Sequence, residues 1–249
     1  MAEPKLDILA IGAHPDDIEI TSGGLLIKMA REKRLTGALD LTRGEMGTYG
    51  NDKEREQEAM LAAEILGLTF RENLALKDSA VEYNQANKLK IARVIREMRP
   101  EMVILPHWQQ RHPDHLACNR LGFDACFLAG LKKIDLEGEP YRPRKIIYAS
   151  YYRNTEYSFL VDISDEFEQK VKAVAAYKSQ FGDNDEKTFR EMLENGQKNI
   201  FHPGTTIFDT MHTRNHYLGL LAGVKYAEAY SIKENILIDD PQKMPVRSI

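Results

Sequence analysis

The strongest indication of the fold is Leu6-Asp-Ile-Leu-Ala-Ile-Gly-Ala13, followed at once by His14-Pro15-Asp16-Asp17. Residues 6–13 form a short and nearly continuous apolar run, which is typical of a strand buried on both faces of a parallel sheet. The polar residues that follow therefore mark the carboxyl end of a first buried strand.

Helical and strand-like segments alternate after this strand. Apolar residues at helical spacing occur at 25–34, 51–67, 88–99, 116–131 and 206–222. Strand-like runs occur at 38–42, 73–76, 102–106, 145–150 and 158–163, and Asp165 is predicted to cap a further helix. Because this alternation is typical of α/β proteins, we predict a Rossmann-like, doubly wound fold. Its sheet is mostly parallel with helices on both faces, and residues 1–249 form a single domain.

Composition and charge exclude several classes of function. The 249 residues carry a formal net charge of -4, with 43% hydrophobic and 29% charged residues, as in ordinary globular proteins. Lys and Arg are interspersed with Asp and Glu, so we expect no nucleic-acid partner. The sequence has no apolar run of transmembrane length, and we expect a cytoplasmic protein without a membrane partner. Cys118 and Cys126 are predicted to be small buried residues rather than a disulfide or a metal site.

Two short motifs carry the candidate chemistry. His14-Pro15-Asp16-Asp17 directly follows the first strand, and His112-Pro113-Asp114-His115 lies a few residues beyond the strand at 102–106. In an open α/β sheet, ligands bind outside the carboxyl ends of the strands, where the strand order reverses. We therefore predict that the two motifs converge there.

The residue types in these motifs suit a catalytic metal ion. Zinc commonly takes histidine nitrogen and carboxylate oxygen, with three protein ligands and one open position at catalytic sites. His14, Asp17 and His115 fit that count, although iron(II) or another divalent ion accepts the same donors. Asp16 then stays uncoordinated and becomes the candidate general base for a water molecule whose pKa the metal lowers.

The second motif offers two further catalytic candidates. A protonated His112 could stabilise an oxyanion or donate a proton to a leaving amine, and Asp114 could orient that imidazole. Taken alone, an Asp-Asp pair after a strand is usually a turn or a helix cap, and His-Pro-Asp-His could be a polar loop. The occurrence of both clusters at strand ends favours a functional site.

Other sequence features are interpreted structurally. Gly23-Gly24 is predicted to form a close-packed turn before a helix, because no residues of a phosphate-binding loop follow it. The first strand lacks a Gly-x-Gly-x-x-Gly fingerprint, which argues against a dinucleotide cofactor and a dehydrogenase. His212 and His216 share helical spacing without the glutamate of a zinc-helix motif, and residues 181–204 are interpreted as a loop or lid.

At these motifs the sequence resembles the LmbE-like (PIG-L superfamily) N-acetylglucosaminyl deacetylases, whose signature Ala-His-Pro-Asp-Asp-x-Glu followed by Gly-Gly occurs at residues 13–24. Further similarity lies at residues 42–47, 55–59, 111–115, 179–181 and 226–229. The resemblance implies His14, Asp17 and His115 as zinc ligands, Asp16 as base, His112 as the oxyanion-side imidazole and Arg55 as a contact to a substrate hydroxyl. It also implies a homo-oligomer acting on a small sugar conjugate.

Residues 40–50 are most similar to the bacillithiol-biosynthesis branch, whose members deacetylate N-acetylglucosaminyl malate. Tyr49 stands where that branch usually carries arginine. A malate group needs cationic partners, and Arg43, Arg55 and Arg111 are the candidates by position and guanidinium geometry. Alternative interpretations are a chito-oligosaccharide or other N-acetylglucosamine-conjugate deacetylase, an amidase of a thiol conjugate, and a non-catalytic sugar- or metal-binding module.

Overall fold

The computed structural model describes residues 6–150, 155–182 and 206–243, whose strands form one seven-stranded sheet. The strands are β1 (Ile8–Gly12), β2 (Thr36–Thr42), β3 (Phe70–Leu76), β4 (Met102–Pro106), β5 (Lys145–Ala149), β6 (Phe159–Asp162) and β7 (Ala227–Ser231). Their spatial order is β3-β2-β1-β4-β5-β7-β6. Strands β1 to β5 pair in parallel, whereas β7 runs antiparallel between β5 and β6. The predicted mostly parallel α/β fold is confirmed.

Helices cover this sheet on both faces. They are α1 (Asp17–Arg31), α2 (Asp52–Leu66), α3 (Gln85–Met98), α4 (Pro113–Leu128), α5 (Phe167–Ala175), α6 (Lys178–Phe181) and α7 (Ile207–Ala222). Alternate residues of β1 belong to different cores, with Leu9 and Ile11 in one and Ile8 and Ala10 in the other. This explains the continuous apolar run, because both faces of the strand are buried.

Several helix boundaries follow their capping residues. The side chain of Asn51 accepts hydrogen bonds at the start of α2, and Gly67 ends that helix in the left-handed conformation. Thr206 and Asp209 form a capping box at the start of α7. The predicted cap at Asp165 is wrong, because the residue that precedes α5 is Glu166 and it makes no side-chain capping bond.

The largest correction concerns helix α1. The sequence predicted a turn at Gly23-Gly24 with a helix after it, but α1 begins at Asp17 and contains both glycines. A Cβ atom on Gly24 would lie 2.7 Å from Cγ2 of Ile163, and one on Gly23 would lie 3.2 Å from Cγ of Lys170. The glycines therefore allow α1 to pack closely against its neighbours, at the usual cost in helix propensity.

Strand β7 was not predicted. Its sequence, Ala-Glu-Ala-Tyr-Ser, has no apolar run, yet all five residues are buried. Glu228 accounts for this, because its carboxylate accepts hydrogen bonds from the backbone of Gly24 and Leu25, from Tyr230 and from Lys170.

None of the described helices combines the length and hydropathy that crossing a bilayer requires. The short helix predicted near residues 188–193, and most of the predicted lid, lie outside the described residues.

Candidate metal centre and active site

The two histidine motifs meet at the point where the strand order reverses. Strand β1 pairs with β2 on one side and with β4 on the other. The first motif follows β1 and leads into α1, and the second precedes and begins α4. The motifs therefore lie at the carboxyl ends of adjacent strands, where open α/β sheets bind their ligands.

The three predicted metal ligands are in contact. Oδ1 of Asp17 lies 3.1 Å from Nε2 of His115, and Oδ2 of Asp17 lies 3.3 Å from Nδ1 of His14. Oδ2 also accepts hydrogen bonds from the backbone amides of Ala13 and His14, at 3.1 and 2.9 Å. The turn that begins α1 thus holds the Asp17 carboxylate between the two imidazoles.

His112 belongs to the same cluster. Its ring centroid lies 4.8 Å from that of His14 and 5.0 Å from that of His115. One ring nitrogen from each of these three histidines can be chosen so that all lie within 4.8 Å of one another. The structure therefore adds His112 to the groups that could coordinate a metal ion.

The surroundings of His112 favour its neutral form over the protonated form that the sequence suggested. Its Nδ1 accepts a 3.2 Å hydrogen bond from the backbone amide of Asp114, so Nδ1 carries no proton. Burial lowers the pKa of His112, and the nearby His14 and His115 lower it further. In the neutral imidazole that these contacts favour, the proton is on Nε2, which can donate a hydrogen bond.

The role predicted for Asp114 is also corrected. Its carboxylate does not bond the His112 ring but lies 3.4 Å from Nε2 of His14. It also accepts hydrogen bonds from the backbone amides of Ser79 and Val81, at 2.7 and 3.2 Å. Asp114 therefore supports His14, the imidazole of the other motif.

Asp78 contacts the site but was not identified from the sequence. Its Oδ1 lies 3.1 Å from Nε2 of His14, and the residue is only 5% exposed. It follows β3 in a polar segment, Lys77-Asp78-Ser79, which resembles any surface turn. Its position after a parallel strand was the one sequence signal that could have identified it.

The charges around His14 fit a bound cation. Burial opposes a charge on this ring, but hydrogen bonds to Asp114, Asp17 and Asp78 raise the pKa of His14 to about 12. Three buried carboxylates thus stabilise one positive charge at this point. Imidazole and carboxylate donors of this kind suit Zn²⁺ or Fe²⁺, which would supply the balancing charge instead of the proton.

Asp16, the predicted base, occupies a strained position. Its φ angle is +109°, a conformation that residues other than glycine rarely adopt and that is often stored at functional sites. Nη2 of Arg55 donates a 2.6 Å hydrogen bond to the Pro15 carbonyl and lies 3.6 Å from Oδ2 of Asp16. Burial raises the pKa of Asp16, while the Arg55 charge opposes this increase.

A buried polar network reaches this turn through Tyr177 and Arg55. Arg71 makes two hydrogen bonds to the carboxylate of Asp40 and one to Glu19, which also accepts from the hydroxyl of Tyr177. The ring of Tyr177 lies 5.7 Å from the Arg55 guanidinium carbon. Asp40 and Arg71 were missed because charged residues inside β2 and β3 give no motif, although their presence in buried strands is itself a signal.

Two of the other predicted substrate contacts, Arg43 and Arg111, have exposed side chains. The side chain of Arg43 is 56% exposed and its Nη1 lies 3.6 Å from Oδ2 of Asp52. Arg111 is exposed beside His112. Arg55 is buried against Pro15 and Asp16, so its observed contacts are with the turn that carries the predicted base.

A small cavity opens beside the cluster. Asp17, His115 and Gln110 provide polar groups in its lining, while Ile104 and Ala149 belong to its apolar wall. Small-molecule sites commonly combine an apolar wall with a few placed polar groups. The cavity therefore borders two of the predicted metal ligands, Asp17 and His115.

The fold and this cluster define an α/β protein with a histidine and carboxylate centre at the sheet's switch point. The family model for PIG-L, the GlcNAc-PI de-N-acetylases, matches residues 9–126. A diacetylchitobiose deacetylase of Thermococcus kodakarensis is 33% identical over 186 residues, which are 70% of this chain and 70% of that protein. The chain therefore belongs to the PIG-L family of N-acetylglucosamine deacetylases.

Solved structures share the fold of this chain. A conserved protein from Thermus thermophilus is 38% identical, with a TM-score of 0.81 covering 94% of this chain and 97% of the other. The N,N'-diacetylchitobiose deacetylase of Pyrococcus horikoshii is 23% identical, with a TM-score of 0.73 covering 90% of this chain and 82% of the other. The second likeness supports the fold.

Proposed function

We propose that this deacetylase removes the acetyl group of an N-acetylglucosamine conjugate with a zinc ion held by His14, Asp17 and His115. The observation that carries the proposal is the contact of Asp17 with both imidazoles, beside Asp16, whose carboxylate faces Arg55. When bound, zinc would polarise the acetamide carbonyl and lower the pKa of water. Iron(II) is the alternative ion for the same donors.

Asp16 acts as the general base in this proposal. A water molecule adds to the acetamide carbon, and Asp16 accepts its proton. Burial raises the pKa of Asp16 toward the range in which a carboxylate serves as base near neutral pH. Arg55 holds the turn through its hydrogen bond to the Pro15 carbonyl, and its charge opposes this increase in pKa.

His112 acts on the other side of the reacting carbon. Its Nε2 proton is positioned to donate a hydrogen bond to the carbonyl oxygen as negative charge develops there. The carbon–nitrogen bond then breaks, the proton held by Asp16 is delivered to the leaving nitrogen, and the products are acetate and a free glucosamine amine.

Two conjugates are the candidate substrates. Similarity of residues 40–50 to the bacillithiol branch favours N-acetylglucosaminyl malate, for which Arg43 and Arg111 are exposed cationic candidates near the site loops. The relationship to the diacetylchitobiose deacetylase of Thermococcus kodakarensis favours a chito-oligosaccharide. Two features count against malate as the aglycone. Arg43 is paired with Asp52, and Tyr49 replaces the arginine that is usual in that branch.

Acetate release from N-acetylglucosaminyl malate, diacetylchitobiose and free N-acetylglucosamine tests both the proposed activity and the preferred substrate. The protein is stripped with a chelator and reloaded with zinc or, anaerobically, with iron(II). Metal-dependent release supports the mechanism, and the ratio of kcat/KM values for the two conjugates identifies the aglycone. Absence of release from all three by metal-loaded protein would contradict the proposed activity.

A further inference from the structure

We propose that Asp78 is a positioning residue that orients His14 so that its Nδ1 faces Asp17 and the metal. This inference rests on the proposed function, because it assumes a metal ion at the cluster. The two nitrogens of His14 face different carboxylates: Nδ1 lies 3.3 Å from Asp17, and Nε2 lies 3.1 Å from Asp78. One side of the ring is thus directed at a predicted ligand and the other at an outer carboxylate.

The Asp78 carboxylate is itself held in place. Its Oδ2 accepts a 2.9 Å hydrogen bond from the backbone amide of Met46, and its own backbone amide donates to Oε1 of Glu45 at 2.9 Å. The side chain is 6% exposed. A buried carboxylate with one oxygen on a backbone amide and the other on His14 has little freedom to rotate.

Asp78 and Asp114 both face Nε2 of His14, but Asp78 is the closer of the two. The Asp114 oxygen is 3.4 Å away, and the Asp114 carboxylate already accepts two amides from residues 79 and 81. Because the contact with Asp78 is the shorter one, the proton on Nε2 of His14 is donated to the Asp78 carboxylate. This fixes the His14 tautomer, leaving Nδ1 free of a proton to serve as a metal ligand.

The same carboxylate connects the metal site to the loop between β2 and α2. Met46 is 65% exposed, and its amide is bound by Asp78. Gln180 donates to the carbonyl of Tyr49 in the same loop. The Asp78 side chain therefore contacts both His14 and the 45–49 segment, which Gln180 also holds.

The test is zinc affinity measured without substrate, by competition of the apo-protein with a chromophoric chelator. Mutation of the outer hydrogen-bond partner of a metal-ligating histidine typically lowers the metal affinity by about 10- to 100-fold. We expect a loss in this range for Asp78→Ala. Asp78→Asn keeps an oxygen that can accept from Nε2 and should retain part of the affinity, and it is the variant to use if Asp78→Ala does not fold.

Glu45→Gln is the matched control, since it removes a negative charge from the same loop while keeping an acceptor for the Asp78 amide. It should bind zinc as the wild type does. Cobalt(II) absorption of each protein adds a spectroscopic signature of the ligand geometry, which should change in the Asp78 variants only.

Wild-type affinity and an unchanged cobalt spectrum in both Asp78 variants would overturn the inference. An equal loss in Glu45→Gln would also overturn it, because general loop charge would then explain the effect. Wild-type protein that binds no zinc would overturn both proposals. Zinc binding that depends on Asp78 in a protein that releases no acetate would support the positioning role and contradict the proposed activity.

Discussion

Nη2 of Arg55 donates a 2.6 Å hydrogen bond to the carbonyl oxygen of Pro15 and lies 3.6 Å from the carboxylate of Asp16. The guanidinium therefore holds the strained peptide next to the predicted base. The residue is 4% exposed, so the contact is shielded from solvent. Arg55 thus has a structural reason to affect catalysis independently of any bond to substrate.

Gly44 tests this relationship. A Cβ atom there would lie 2.7 Å from Nη2 of Arg55, and the φ angle is +69°. We expect Gly44→Ala to lose about 1–2 kcal/mol of unfolding free energy from backbone strain and to lose kcat as Arg55 is displaced. Gly223→Ala is the matched control, because its φ is +72° and nothing lies within 4 Å. Urea unfolding measures the stability of both variants, and acetate release measures their kcat. Equal kcat values in the two variants would contradict the role of Arg55.

Asp16→Asn tests the base directly. The amide keeps the shape of the side chain but cannot accept the proton, so kcat should fall by about 10²- to 10⁴-fold. Zinc content should stay at the wild-type level, because Asp16 is outside the predicted ligand set. Metal analysis and initial rates provide the measurement. Full turnover in this variant, with zinc retained, would show that another group is the base.

Alkaline titration tests the buried tyrosines. Burial is the largest cause that raises the pKa of Tyr148, Tyr177 and Tyr230 above its ordinary value of 10.0. Raised pKa values in the folded state contribute stability that is present below the unfolded value, about 10, and is lost as pH rises above it. We expect tyrosinate absorption from these residues to appear only when the protein unfolds. Their ionisation in protein that keeps its native circular dichroism would contradict this.

Thiol reactivity tests the cysteines. Cys118 and Cys126 are 0% and 3% exposed, and burial raises the pKa of Cys126 to about 12. Because the thiolate is the reactive form, neither residue should react with a disulfide reagent in the native state. Denatured protein serves as the control and should show two reactive thiols, matching the sequence. Rapid labelling of native protein would contradict the buried placement.

The buried ion pair between Lys170 and Glu228 predicts a large stability effect. Nζ and Oε1 are 2.6 Å apart, and both side chains are 1% exposed. Lys170→Met leaves the Glu228 charge buried and should cost about 3–5 kcal/mol in urea unfolding. Arg34→Met is the comparison, because its pair with Asp7 is exposed and should cost about 0–1 kcal/mol. Similar losses in both variants would contradict the role of burial.

The corrections to the sequence predictions share one physical cause. Helix α1 was predicted to begin after Gly23-Gly24 because glycine disfavours helices, but close packing against Ile163 outweighs that local preference. Strand β7 was missed because the charge of Glu228 is balanced by Lys170 and its oxygens are bonded by residues that are distant in the sequence. The orienting role expected for Asp114 failed for a similar reason, since proximity to His112 in sequence did not decide which imidazole it faces.

Local periodicity and the residue types at strand ends were enough to predict the α/β class, the parallel core and the two motifs. The partners of the polar groups became known only from the folded chain. Asp78 at His14, Arg55 at Pro15 and Arg71 at Asp40 are contacts between residues more than thirty positions apart. Such contacts depend on chain topology and on the need of buried polar atoms for partners, which no local pattern encodes.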